Sequence, residues 1–195
     1  MLWFTSDTHF GHKAVLDFCQ RPWESIEQMN AALVGAINER VGANDELYVL
    51  GDFSFRIGVE EARSIREAIF CMRVHLVPGN HDRDWDVPDR AGTFIVEPPI
   101  CQVKLSGGQK LVCSHYPMMD WPSLGHGSVH LHGHIHATRE YNEWNRAERL
   151  LRYDVGVDAN GYAPVSAEDI LEFFRRVEHR QRSDWREWAQ PQGIE

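Results

Sequence analysis

Asn80, His81 and Asp82 stand in consecutive positions after the apolar run Val74-His75-Leu76-Val77 and the pair Pro78-Gly79. A carboxamide, an imidazole and a carboxylate side by side can hold a cation, move a proton or accept backbone N–H groups. Asn and Asp are also ordinary turn residues, so the tetrapeptide alone reads as a loop. Repetition lifts it above that reading. Leu2–Thr5 leads to Asp7 and His9, Leu47–Leu50 to Asp52, Leu111–Cys113 to His115, and Val129–Leu131 to His134 and His136. Ligands set just beyond strand ends converge on one rim of an open α/β sheet. Collected, they are Asp7, His9, Asp52, Asn80, His115, His134 and His136, an oxygen and nitrogen set without thiolate. Such a set suits Mn²⁺, Fe, Zn²⁺, Ni²⁺ or Mg²⁺ better than a structural zinc cage, which favours cysteine. It is too large for one tetrahedral ion and fits two ions that share a carboxylate, roughly 3.5–4 Å apart as in phosphoryl transfer.

Other histidines divide between roles. His12 either touches a substrate phosphate or holds its loop by a hydrogen bond. Arg83 either pairs with phosphate or forms a surface ion pair with Asp82 and Asp84. His75, His130 and His132 lie inside apolar runs and read as core or supporting histidines, and His126 as a loop residue. Tyr116 and Trp121 are candidates for lining a pocket.

The elements that position these residues follow from periodicity. Apolar runs at Leu2–Thr5, Leu47–Leu50 and Val74–Val77 predict buried strands. Residues 13–19 predict a short helix, stopped at Arg21-Pro22-Trp23. Ser25 and Gln28 have capping-box spacing, and Ile26, Met29, Leu33, Ala36 and Ile37 form a helical stripe toward Gly42. A third helix is predicted over Val59–Phe70, with Ala62, Ile65 and Ile69 on its buried side. Residues 83–92 predict a loop. Strands are predicted at Phe94–Val96, Ile100–Leu105 and Lys110–Cys113, the last two joined by Ser106-Gly107-Gly108-Gln109. Residues 114–128 read as loop, and a charged connection after His136 leads to a strand near Tyr153–Val157. Ser166 caps a predicted helix through Val177, with Ile170, Phe173 and Phe174 on its apolar face. The chain is expected to form one α/β domain over residues 1–180. A polar tail over 181–195 carries Trp185 and Trp188.

Composition narrows the function. At 195 residues and 43% hydrophobic content, one well-buried domain is expected and no membrane span. The first residues turn polar too soon for a signal peptide. Cys19, Cys71, Cys101 and Cys113 form no CxxC pair and read as reduced thiols, mostly in the core, of a cytoplasmic protein. A net charge of −9 argues against coating long nucleic acid but admits a small phosphorylated substrate, since bound cations reverse the local field.

The ordered series Asp7-x-His9, Gly51-Asp52, Gly79-Asn80-His81-Asp82, His115, Gly133-His134-x-His136 resembles the calcineurin-like metallophosphoesterases. Residues 3–12 and 156–166 resemble a branch of small bacterial and phage phosphoesterases in that family. The resemblance implies two packed mixed β-sheets flanked by helices, a four-layer sandwich. It implies two divalent ions, with Mn²⁺ the first choice. Asp7, His9, Asp52 and His136 would hold the first, and Asn80, His115 and His134 the second, with Asp52 bridging. It implies attack by a hydroxide between the metals, with His81 assisting the leaving oxygen and Asp82 supporting His81. Phosphodiesters are expected ahead of monoesters, and a nucleotide or cyclic nucleotide fits an open site. The alternatives are a nuclease acting on strand ends and a non-catalytic metal-binding scaffold.

Overall fold

The computed structural model describes residues 1–82 and 93–178. In chain order, the first half comprises β1 (Leu2–Thr5), α1 (Val15–Phe18), α2 (Ile26–Arg40), β2 (Glu46–Val49), α3 (Val59–Glu67) and β3 (Arg73–Leu76). The second comprises β4 (Ile95–Val96), β5 (Ile100–Lys104), β6 (Lys110–Ser114), β7 (Val129–His132), α4 (Arg139–Ala147), β8 (Arg152–Asp154), β9 (Val165–Ser166) and α5 (Ala167–Phe173). A single 3₁₀ turn, Leu124–His126, interrupts the long connection before β7.

The strands form two mixed sheets. One has the order β4-β3-β2-β1-β9, parallel except for β9 at its edge; the other has the order β5-β6-β7-β8, parallel except for β5. Side chains alternate across β2 as a strand requires. Tyr48 and Leu50 join Phe4, Leu111, Cys113 and Leu131 in a core shared by both sheets. Leu47 and Val49 point the other way, against Met29, Leu33 and Ile37 of α2.

Helix α2 forms where its stripe and cap predict it. Ser25 is extended and its hydroxyl accepts the Gln28 N–H at 3.2 Å. Gln28 completes the cap one residue early, accepting from the Glu24 N–H. Met29, Leu33 and Ile37 are buried at 3% exposure or less, each worth roughly 1.5–3 kcal/mol. Ser166 caps α5 as expected, accepting from the Asp169 N–H. The helix ends at Phe173, short of the expected Val177, and Ile170 with the following Phe174 enters the core between the sheets.

Differences from expectation are local. Helix α1 shrinks to one turn, and Phe18 at its end is exposed. Helix α3 ends at Glu67, so Ile69 is buried from the following turn. The charged connection after His136 contains α4, whose buried side is Asn142 and Asn145 rather than an apolar stripe. Asn142 bonds both the N–H and the C=O of Asp154 with its carboxamide, taking the place of a neighbouring strand beside β8. The two-residue β9 went unmarked because nothing in Val165-Ser166 distinguishes it from a loop. The four cysteines are free, three of them buried. Among the described residues no helix is long and apolar enough to cross a membrane. Arg83, the loop 83–92 and the tail with Trp185 and Trp188 lie outside the described residues.

Candidate metal centre

The segments that leave β1, β2, β3, β6 and β7 are laced together by main-chain hydrogen bonds. The N–H groups of Asp7, His9 and Phe10 donate to the carbonyls of Gly51, Asp52 and Phe53, and Gly133 N–H donates to His115 C=O. The candidate ligands therefore meet at one end of both sheets. Five of them, Asp7, His9, Asp52, His134 and His136, have φ between 46° and 74°. Non-glycine residues seldom occupy this left-handed region, and Asp and His are among those that tolerate it best. Backbone strain held by surrounding contacts is concentrated at sites of function.

Two glycines make the crossing possible. A Cβ on Gly79 would strike Asp52, and one on Gly133 would strike Ser6 Oγ and an Asp7 carboxylate oxygen. Glycine is what lets these strand exits touch.

Two donor sets result among the strand-end residues, and a third group, Cys19, His136 and Asp158, shares His136 with one of them. Asp7, His9 and His136 present ligand atoms within 4.8 Å of one another, and so do Asp52, His115 and His134. Asp52 lies between them, its Oδ2 3.5 Å from both His9 Nε2 and His115 Nε2. Asn80 Oδ1 is 3.0 Å from His115 Nε2, on the side of the second set. The structure thus brings together the side chains of all seven strand-end candidates named from sequence.

Tests on the donor atoms favour a cation. His9 Nε2 is buried without a hydrogen-bond partner. Burial, with the neighbouring His136, His12 and Arg21 charges, pushes the His9 imidazole down to about 2. Its 3.5 Å approach to Asp52 is therefore that of a neutral imidazole to a carboxylate rather than an ion pair. His115 Nδ1 donates to the Leu50 carbonyl at 2.8 Å, and its Nε2 lies 3.0 Å from Asn80 Oδ1 and 3.5 Å from Asp52 Oδ2. Burial raises the Asp7 carboxyl above its ordinary range, although His115 and His136 pull against it. A buried ring nitrogen without a hydrogen-bond partner, set among carboxylates, is unfavourable unless a positive ion joins them. The donor chemistry fits divalent cations of the kind expected.

The supporting contacts are more extensive than the sequence suggested. Asp82 is fully buried, and its carboxylate accepts from the N–H groups of Asp52, Phe53 and Gly79. It ties the loops after β2 and β3 together through these N–H groups. Burial pushes its carboxyl up to about 6, against the pull of those bonds. The His81 side chain is about a third exposed, with Nε2 3.9 Å from Asp52 Oδ2. Its main-chain N–H donates to Asp52 Oδ1 at 2.9 Å. His12 Nδ1 meets His9 Nδ1 at 3.1 Å.

Sequence reasoning missed Arg21, Asp158 and Asp154. Arg21 is buried and grips both carboxylate oxygens of Asp158, at 2.8 and 2.9 Å, together with the Asp7 and Thr8 carbonyls. Asp158 in turn accepts from His136 Nδ1 at 2.8 Å, and Cys19 Sγ lies 3.3 Å from the same nitrogen. Burial disfavours the charged imidazole, but the Asp158 hydrogen bond, with Cys19 and Asp7, lifts His136 to about 10. Asp154 is buried behind Asp7, and burial pushes it up to about 7. Asp154 and Asp158 follow the strand-end pattern of the other carboxylates and could have been found by it. Arg21 carries no such signal. His130 and His132 are buried, and His75 pairs with Glu97 at 2.8 Å.

The family model for calcineurin-like phosphoesterases matches residues 1–160. An uncharacterised protein of Methanocaldococcus jannaschii is 27% identical over 179 residues, covering 90% of this chain and 92% of its own. The gene 66 protein of Mycobacterium phage D29 is 28% identical over 208 residues, covering 91% and 97%. Among solved structures, a protein of unknown function from Aquifex aeolicus shares the fold with a TM-score of 0.69. It is 24% identical, with 88% of this chain and 98% of that one covered.

Proposed function

The chain belongs to the calcineurin-like phosphoesterase family and is a metal-dependent phosphoester hydrolase, and on that premise we propose that it uses two divalent cations to cleave phosphodiesters. The observation that supports this reading is Asp52 Oδ2, equidistant at 3.5 Å from a histidine nitrogen of each donor set. Asp7, His9 and His136 would hold one cation, and Asn80, His115 and His134 the other, with Asp52 shared. Mn²⁺ is the first choice, and Fe, Zn²⁺, Ni²⁺ and Mg²⁺ suit the same donors. When bound, the pair supplies Lewis acidity and a nucleophile at neutral pH.

The chain's own residues do the rest. Asp82 fixes the loops after β2 and β3 by accepting three N–H groups, so Asp52 and Asn80 arrive in register. His12 orients the His9 ring through Nδ1, leaving Nε2 free to coordinate. His81, the partly exposed imidazole beside Asp52, is placed to give a proton or hydrogen bond to the departing oxygen. With a net charge of −9, a small phosphorylated substrate such as a nucleotide suits the protein better than a long nucleic acid. The test is Mn²⁺ titration of metal-free protein, followed by assays on diesters, monoesters and oligonucleotides. Two equivalents bound with diester cleavage is the expected result. A single equivalent in fully active protein would overturn the dinuclear reading.

A further inference from the structure

Two exposed aromatic rings stand against the donor sets, one to each. Phe18 ends α1 with 56% of its surface exposed, although Val15 on the same turn is buried. Its ring centroid lies 5.6 Å from that of His136, edge to face, and 5.5 Å from His12. Phe55 extends this wall, 4.0 Å from His12 and 4.5 Å from His81. On the side of the other set, Tyr116 is 50% exposed, 4.6 Å from His134 and 5.0 Å from His115. Single exposed aromatics are ordinary on protein surfaces. Phe70, for example, precedes β3 and so lies at the end of the sheet away from the site. Phe18 and Tyr116 differ because each leaves an apolar ring in water beside a candidate ligand histidine, and each adjoins a different donor set.

A phosphoryl group held between the sets has an ester group on either side. We propose that Phe18 with Phe55 and, opposite them, Tyr116 form two subsites for those ester groups, and that the preferred substrates are phosphodiesters whose ester groups are planar and aromatic, aryl or nucleoside. The inference rests on the phosphodiester reading above. Planar groups stack on exposed rings whatever their substituents, which makes such subsites selective for shape rather than for one base.

The test compares bis(p-nitrophenyl) phosphate, aromatic on both sides, with methyl p-nitrophenyl phosphate, aromatic on one, using Mn²⁺-loaded wild type, Phe18→Ala, Tyr116→Ala and the double variant. Both residues are half exposed, so the fold is retained. Wild type is expected to favour the bis-aryl diester through KM. The double variant should lose about ten- to a hundredfold of that preference, the size expected from base–aromatic stacking. Calorimetry with phenylphosphonate and methylphosphonate, which contain no ester bond, reads the same subsites without turnover. Tighter phenylphosphonate binding in wild type, levelled in the double variant, is expected. Cleavage of both esters with no preference to lose, or with equal losses on both, overturns the subsites and leaves the hydrolase reading standing. No cleavage of either ester with a retained phenylphosphonate preference overturns the phosphodiester reading and upholds the aromatic subsites.

Discussion

The hydrogen bond that ties His81 to the centre comes from its backbone. Its N–H orients Asp52, whereas its imidazole is partly open to solvent. His81→Ala therefore keeps the Asp52 contact, and both cations should remain. Loss of general acid assistance typically costs about 10²–10⁴-fold. That loss is expected on alkyl and nucleoside esters, whose leaving oxygens need a proton, and much less on nitrophenyl esters. Steady-state kinetics on both classes, with metal analysis of the variant, checks it; equal losses would assign His81 to phosphoryl oxygen stabilisation instead. Asp158 acts on one donor set only, through His136. Supporting carboxylates of this kind are worth about 10–100-fold in metal affinity. Asp158→Asn should weaken one cation by that factor and leave the other, giving two resolved steps in a calorimetric titration where wild type has closely spaced ones.

Strand exits, more than strands, carry the specificity of the fold. Gly133→Ala forces a Cβ onto Ser6 and Asp7 and should cost about 1–3 kcal/mol, as overpacking does. Gly125→Ala, with nothing within 4 Å, should be near neutral. Chemical denaturation of the two variants checks the contrast. The exits were legible in the sequence because short apolar runs, of the length of buried strands, ended abruptly in Asp, His or Asn. The seven candidate ligands could be collected for the same reason. What was not legible depended on polar groups buried in partnership. Helix α4 hides behind Asn142 and Asn145, which no apolar periodicity reveals. Arg21 looks like any surface cation until its guanidinium is seen between Asp158 and two carbonyls. The left-handed backbone at Asp7, His9, Asp52, His134 and His136 was equally silent, since only glycine advertises that conformation.

For the molecule as a whole, cations and protons compete. His136 titrates at about 10 in the metal-free fold, above its ordinary 6.5, because the Asp158, Cys19 and Asp7 contacts prevail over burial. The stability contributed by its charged form is complete below about pH 6.5 and is lost as pH rises through about 10. Asp82 and Asp154, raised to about 6 and 7, have largely finished titrating by pH 8. With chelator present, urea midpoints should fall between pH 7 and pH 9, and less so in His136→Gln. Cation binding near neutral pH should expel a proton, measured as buffer-dependent binding heat.

Each donor set draws on both sheets. Asp7, His9, Asp52 and Asn80 follow strands of the five-stranded sheet, and His115, His134 and His136 follow strands of the four-stranded one. Neither half holds a complete set, and a strand slipped by one residue would turn every side chain on it to the wrong face. Catalytic competence is thus a proofreading of assembly: a molecule that turns over substrate has docked its two halves in the correct register, and one that has not is silent.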